Sequence, residues 1–174
     1  MTPKDYDKLY KKIEECIRKC HNLDKPPSYT YENDLKVAYR CKQWFLFACL
    51  LDEHRTAYKT PWEPLIGRRC LNHLLLMRTG LSINEIRQIT LCDALLLLHT
   101  ELLEIEEETN SKIPCYYNLE KLYDLVKGQI ARLDEETVPE CFQLDGILDG
   151  EFPIDEFHRY ANWTRYEQLT QKGI

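Results

Sequence analysis

Apolar residues recur at steps of three and four through the first stretch of the chain. Leu9, Ile13, Cys16, Ile17 and Cys20 fall on one side of a helical period and predict an amphipathic helix over residues 4–21. Lys25-Pro26-Pro27-Ser28 ends it, because proline lacks a donor and restrains the residue before it. Asn33 is placed to cap a second helix over 34–59. Ala38, Cys41, Phe45, Ala48 and Cys49 form its inner stripe, while Trp44, Phe47, Leu50 and Leu51 carry the apolar surface nearly all the way round. A helix of that kind has neighbours on several sides and is central. Pro61 and Pro64 interrupt the chain, and a third helix over 65–79 follows with Ile66, Cys70, Leu71, Leu74, Leu75 and Met77 as its apolar positions.

Gly80 stops that helix, since glycine takes positive φ without strain. Ser82 with Glu85 makes a capping box for a short helix with Ile83 and Ile86 inward. Thr90 with Asp93 repeats the device for a fifth helix over 91–108, which runs through Leu95-Leu96-Leu97-Leu98 into an acidic end. After a loop at 109–114 a sixth helix is predicted over 118–133, and beyond the turn-rich 145–153 a last one over 154–170. No run alternates as a strand would. The expected fold is all-α, a compact bundle of six to eight helices in a single domain over 1–174, with the 34–59 helix at its centre.

Composition narrows the class. With 174 residues, 44% apolar and 30% charged, the chain is long enough for one real core and excludes collagenous and low-complexity architectures. Its longest purely apolar run, 44–51, is far short of the roughly 20 residues of a membrane-spanning helix. No basic-then-apolar leader follows the polar first ten residues, so a cytoplasmic location and no membrane partner are expected. The eight cysteines are spread singly and lie mostly among apolar neighbours, as reduced core thiols do. Cys16, Cys20 and His21 are the one ligand-like group, and no second Cys or His pair stands at zinc spacing, so no metal or other cofactor is expected.

Charge is unevenly divided. Residues 1–35 are neutral, 36–90 carry a net +5, and 91–174 carry a net −11, for a total of −6. A net acidic chain is a poor general binder of nucleic acid, whose affinity rests on phosphate neutralisation. Within the positive third, 73–78, Thr79-Gly80-Leu81 and 82–89 together resemble a helix-turn-helix unit. Arg68, Arg69, Arg78 and Arg87 lie in or beside it, and a DNA-reading version would present Asn84, Arg87 and Gln88 to base edges. The competing reading is two core helices meeting at a glycine, with the arginines paired to the acidic C-terminal helices.

Glu101 and Glu104 share a helix face at i, i+3, and Glu120 and Asp124 follow on the next predicted helix. Two such pairs are able to hold Mg²⁺ beside a nucleotide. The arrangement is similar to the all-α MazG-type pyrophosphohydrolases, which pair Glu-x-x-Glu with Glu-x-x-Asp; that likeness implies an Mg²⁺-dependent nucleotide pyrophosphohydrolase. Here the second pair is spaced i, i+4, and the likeness spans some 25 residues. The alternative is a solvated acidic helix end. No Gly-x-Ser-x-Gly elbow or glycine-rich phosphate loop occurs, and the five histidines are scattered over separate helices. Asp52-Glu53-His54-Arg55 reads as the polar end of a buried helix or as a His–carboxylate pair.

Eleven Tyr and three Trp are many for surface segments, and Tyr116, Tyr117, Tyr160 and Trp163 lie in a loop and in the last predicted helix. Such residues anchor protein interfaces. The run 44–55, the helix over 91–107 and Gly150-Glu151-Phe152-Pro153-Ile154 resemble small proteins carried by enterobacterial phages and prophages. That likeness implies an accessory role in the bacterial cytoplasm and carries no reaction with it. Taken together, the expected function is non-catalytic binding of a host or phage protein, through Arg68, Arg69, Arg78, Arg87, Tyr116, Tyr117, Tyr160 and Trp163. The −11 third adds the expectation of a host-defence inhibitor whose acidic face mimics nucleic acid. The Mg²⁺ pyrophosphohydrolase and the helix-turn-helix DNA regulator are the alternatives.

Overall fold

A computed structural model describes residues 3–25, 31–109, 144 and 146–157. Six helices follow one another: α1 (Pro3–Cys20), α2 (Tyr31–Tyr58), α3 (Arg68–Thr79), α4 (Ile83–Gln88), α5 (Leu91–Leu97) and α6 (His99–Thr109), then a 3₁₀ turn at Asp149–Glu151. No strand occurs among the described residues, so the fold is all-α. None of these helices is long and apolar enough to cross a membrane.

The 28-residue α2 is about 42 Å long and packs against α1, α3 and α6, the central place its all-round apolar surface called for. Trp44, Phe45, Phe47 and Leu51 are fully buried within one continuous apolar cluster that α1, α3, α5 and α6 complete. Cys41, Cys49 and Cys70 are buried there as thiols, and Cys92 is free and exposed. Burial pushes the Cys70 thiol up to about 12, and it donates to the Leu51 carbonyl at 3.2 Å, so it behaves as a small hydrophobe. Cys115 and Cys141 lie outside the described residues.

Several boundaries differ from the pattern reading, each for a local reason. Helix α2 begins at Tyr31, which puts Asn33 inside the first turn rather than at the cap. Helix α3 begins at Arg68 and not at 65, because Leu65 and Gly67 hold φ of +49° and +57°, outside the helical region. The helix expected over 91–108 is broken at Leu98, whose φ of −103° and ψ of 17° end α5 before α6 starts. Four consecutive leucines cannot share one face of a single straight helix. Leu95 and Leu98, with Leu102 and Ile105 of α6, follow the i, i+3, i+7, i+10 spacing of one helical face and are buried, while Leu96 and Leu97 fall off that face and stay outside. Ile83, expected inward, is 43% exposed; Ile86 alone anchors α4 to the core. The 118–133 helix, and all but the start of 154–170, lie outside the described residues.

The caps predicted at Ser82 and Thr90 form, unlike the one at Asn33. Ser82 accepts from the Glu85 N–H while Glu85 accepts from the Ser82 N–H, and Thr90 accepts from the Asp93 N–H at 3.1 Å. Gly80 takes φ +67° at the end of α3. Ser82→Ala is expected to lower stability by about 1 kcal/mol, seen as a lower denaturant midpoint at unchanged slope.

Residue 144 and residues 146–157 lie as a strap across the bundle. Glu151, fully buried, accepts from the Trp44 indole at 2.7 Å, the His21 Nε2 at 2.8 Å, the Leu148 N–H at 2.9 Å and the Arg40 guanidinium at 3.0 Å. Burial acts to raise its carboxyl pKa, but the bonds from Trp44, Leu148 and His21 and the charge of Arg40 outweigh it and hold it below the usual range. Arg40 also donates to the carbonyls of Leu144 and Gly146. Phe152 stacks on Trp44 with ring centroids 5.3 Å apart. Asp149 accepts from the Leu91 N–H at 3.0 Å, an otherwise unpaired donor at the start of α5. Gly67 lies so close to Asp155 that an added Cβ would sit 2.9 Å from its carboxylate oxygen.

Candidate interaction surface

A short turn between α2 and α3 is fixed on several sides. The Thr60 N–H donates to the Glu63 carbonyl at 2.8 Å, the Glu63 N–H to Thr60 Oγ1 at 3.0 Å, and the Leu65 N–H to Glu63 Oε1 at 3.1 Å. Arg69 pairs through two nitrogens with the same carboxylate and lowers its pKa, chiefly by hydrogen bonding. Pro61 and Pro64 restrict the backbone on either side. This well-braced turn holds Trp62 84% exposed, the most exposed large apolar side chain among the described residues.

Helix α3 continues that surface. Its inward positions are Cys70, Leu71, Leu74 and Leu75. Arg69, His73, Leu76 and Met77, spaced i, i+4, i+7 and i+8, share its outer face, and Met77 is 57% exposed. Arg69 with Glu63 joins this face to the turn, and the ring of Tyr58 with the ring of His73 at 5.6 Å is one of its contacts with α2. Tyr58, Arg69, His73, Leu76 and Met77 therefore line one side of α2 and α3, next in sequence to the turn that carries Trp62 and that Arg69 braces through Glu63.

Beneath it, His54 and His73 share a hydrogen bond, Nε2 to Nδ1, at 2.8 Å. One ring nitrogen donates and the other accepts, so both rings are neutral or share one proton. Burial, with His73 and Arg78 nearby, lowers His54 to about 4. This pair takes the place of the His–carboxylate arrangement considered for 52–55; Asp52 instead binds Arg55 at 2.6 Å.

The four arginines have different surroundings. Arg68 is half-buried and donates to Asn72 and to the Ile89 carbonyl, which ties α3 to the residue before Thr90. Arg69 is held by Glu63, and Arg78 lies 3.3 Å from Glu101 of α6. Arg87 stands exposed on α4 beside exposed Asn84 and Gln88. Tyr116, Tyr117, Tyr160 and Trp163 lie outside the described residues, as do Glu120 and Asp124 of the four-carboxylate arrangement. Its other half is present on α6, with Glu101 engaged by Arg78 and Glu104 exposed. Among the described residues no three Cys, His, Asp or Glu side chains come together as metal ligands. His21, grouped in the sequence with Cys16 and Cys20, turns instead to Glu151.

Trp62, Tyr58, Leu76 and Met77 escaped the sequence reading as surface residues. The signal for Trp62 was Pro-Trp-Glu-Pro, a tryptophan bracketed by prolines where no helix buries it. No protein-family model, no curated protein and no solved structure matches this chain.

Proposed function

We propose that this is a non-catalytic, phage-associated accessory protein of the bacterial cytoplasm that binds a host or phage protein through the strip headed by Trp62. The observation that carries the reading is the exposure of Trp62 on a hydrogen-bonded turn. An exposed indole leaves a large apolar area in water that a partner's pocket would cover. A turn already ordered in the free protein loses little entropy on binding. Trp, Tyr and Arg dominate interface energetics, and exposed Trp62, Tyr58 and Arg69 all belong to the turn between α2 and α3 or to the helix ends that flank it. Met77 adds a side chain that adapts to irregular partner surfaces. The −11 charge of 91–174 supports the finer reading of a host-defence inhibitor, since an acidic surface attracts a protein whose own ligand is nucleic acid.

Trp62→Ala and Met77→Asp test this. Both are expected to leave the thermal midpoint within about 2 °C, as exposed substitutions do. Each should remove a partner retained by the wild-type protein from enterobacterial lysate, with a loss of tenfold or more in the affinity then measured for the purified partner, about 1.4 kcal/mol or above. A partner that binds both variants as tightly as wild type would reject this surface.

The second reading, a helix-turn-helix DNA regulator, draws on the exposed Asn84, Arg87 and Gln88 of α4. It is weakened by the carboxylates that offset Arg69 and Arg78. A duplex probe whose binding falls steeply with salt and is lost in Arg87→Ala would favour it instead.

A further inference from the structure

His54 of α2 and His73 of α3 meet where the two helices pack, and the docking reading gives the pair no role. Their rings face one another through Nε2 and Nδ1 at 2.8 Å, with ring centroids 5.0 Å apart and planes at 45°. His54 is nearly buried, while His73 is half-buried toward the outer side of α3. A bond between two imidazole nitrogens requires one ring to offer a lone pair, and every neutral imidazole has one nitrogen able to do so. The packing of α2 on α3 therefore brings two imidazoles to one point, with little ordering left for a ligand to impose.

Both facing nitrogens are of the kind that ligates metals. Two nitrogens bound to one ion at about 2.0 Å stand about 2.8 Å apart at neighbouring corners of a square, and about 3.3 Å apart in a tetrahedron. The 2.8 Å separation of His54 and His73 is the right-angled one. To seat an ion, the donating ring moves its proton to its other nitrogen, and both rings turn until their lone pairs meet beside the line that joins them. In the neutral pair this exchange releases no proton.

The donor set selects the ion. Imidazole suits copper, nickel and zinc, whereas Mg²⁺ and Ca²⁺ require oxygen ligands. Among the described residues no three Cys, His, Asp or Glu side chains converge, so the remaining positions fall to water on the half-buried side of His73. The charges around the pair are balanced and do not repel a cation: Glu63 binds Arg69, Asp52 binds Arg55, and Arg78 lies beside Glu101.

The geometry points to a two-histidine site for a tetragonal divalent cation, with His54 Nε2 and His73 Nδ1 as neighbouring ligands. Cu²⁺ is the ion it binds most tightly, as the general order of divalent affinities at nitrogen sites requires.

Electron paramagnetic resonance of the full chain with one equivalent of Cu²⁺ tests the assignment. The expected result is one axial spectrum split by two nitrogens, with a Kd of about 10 µM or tighter when glycine competes for the metal. Ni²⁺ at about a hundred times its own Kd is expected to raise the thermal midpoint by roughly 5 °C, because it joins α2 to α3 only in the folded chain, and Mg²⁺ is expected to leave it unchanged. His73→Asn should remove the nitrogen splitting and weaken Cu²⁺ about a hundredfold, since the second ligand no longer acts within the same molecule. His54→Gln should do the same and serves if the His73 variant unfolds. Cys92→Ser, which removes an exposed thiol, is expected to leave the spectrum as it is. A nitrogen-split spectrum that persists in the folded His73 variant would overturn the site. So would a wild-type spectrum without nitrogen splitting or one lost in Cys92→Ser, either of which assigns the metal to sulfur, or a midpoint that Mg²⁺ raises as much as Ni²⁺. Trp62→Ala touches neither histidine and should bind Cu²⁺ as wild type does, so the metal site and the docking surface stand or fall separately.

Discussion

Replacing Glu151 by Gln is expected to cost about 3–5 kcal/mol of folding stability, the loss typical when one partner of a buried ion pair is removed. Glu151 is fully buried and is the common acceptor for Arg40, Trp44, His21 and the Leu148 backbone. A neutral amide leaves the Arg40 guanidinium, itself nearly buried, without its counter-charge, and turns an NH₂ group toward other donors. The effect should spread beyond the site, because the strap reaches α1 through His21, α2 through Arg40 and Trp44, and α5 through Asp149. Urea unfolding measures it. Combining Glu151→Gln with Arg40→Met should cost less than the two single changes added together, by about 1–3 kcal/mol, since the double variant no longer buries an uncompensated charge. A Glu151→Gln midpoint within error of wild type would show that the aromatic stack of Phe152 on Trp44, and not the carboxylate, holds the strap.

Acidification is expected to produce the second large effect, in a window set by His54. Its imidazole is held at about 4 in the folded protein, against an ordinary value of 6.5, first by burial and then by His73 and Arg78. Between those two values the unfolded chain takes up a proton that the folded chain refuses, so stability rises with pH across that interval and is lost as pH falls through it. Above about 6.5 His54 is neutral in both states and contributes no slope. The integrated loss from neutral pH to pH 4 is about 2–3 kcal/mol, after allowance for relaxation of a pair at the edge of the bundle. Glu151 has its carboxyl held low, so its contribution begins to fall as pH drops through the ordinary carboxylate value of 4.5 and is lost toward its lower folded value, overlapping only the acid edge of the His54 window. His54→Gln keeps a hydrogen-bonding group near the position of Nε2 and should flatten the dependence between pH 4 and 6.5. An unchanged slope in that variant would assign it to other groups.

The sequence by itself determined the helical class, and for a simple reason. Helix periodicity, caps and breakers are local, so Ser82 with Glu85, Thr90 with Asp93 and the positive φ of Gly80 could each be read from a few neighbouring residues. The central place of α2 was equally legible, because Trp44, Phe47, Leu50 and Leu51 leave it no polar face at mid-length and only neighbours on several sides can bury such a helix. What pattern could not decide was which apolar residues lose the competition for the core. Leu96 and Ile83 look as apolar as Leu95 and Ile86, yet only the latter pair face inward, because a short or unbroken apolar run does not show which of its faces the rest of the bundle will cover.

The polar interactions were the least legible. Glu151 meets Arg40 across 111 residues and His21 across 130, and nothing in the local sequence distinguishes it from exposed carboxylates such as Glu104 and Glu156. His54 and His73 likewise come together only because α2 and α3 pack side by side. The arginines of the glycine turn illustrate the same limit: their charge was visible in the sequence, but the carboxylates that offset Arg69 and Arg78 are delivered by a turn and by a separate helix. Long-range pairing depends on the three-dimensional path of the chain, which is why the strap, the histidine pair and the Trp62 strip were decided by tertiary structure alone.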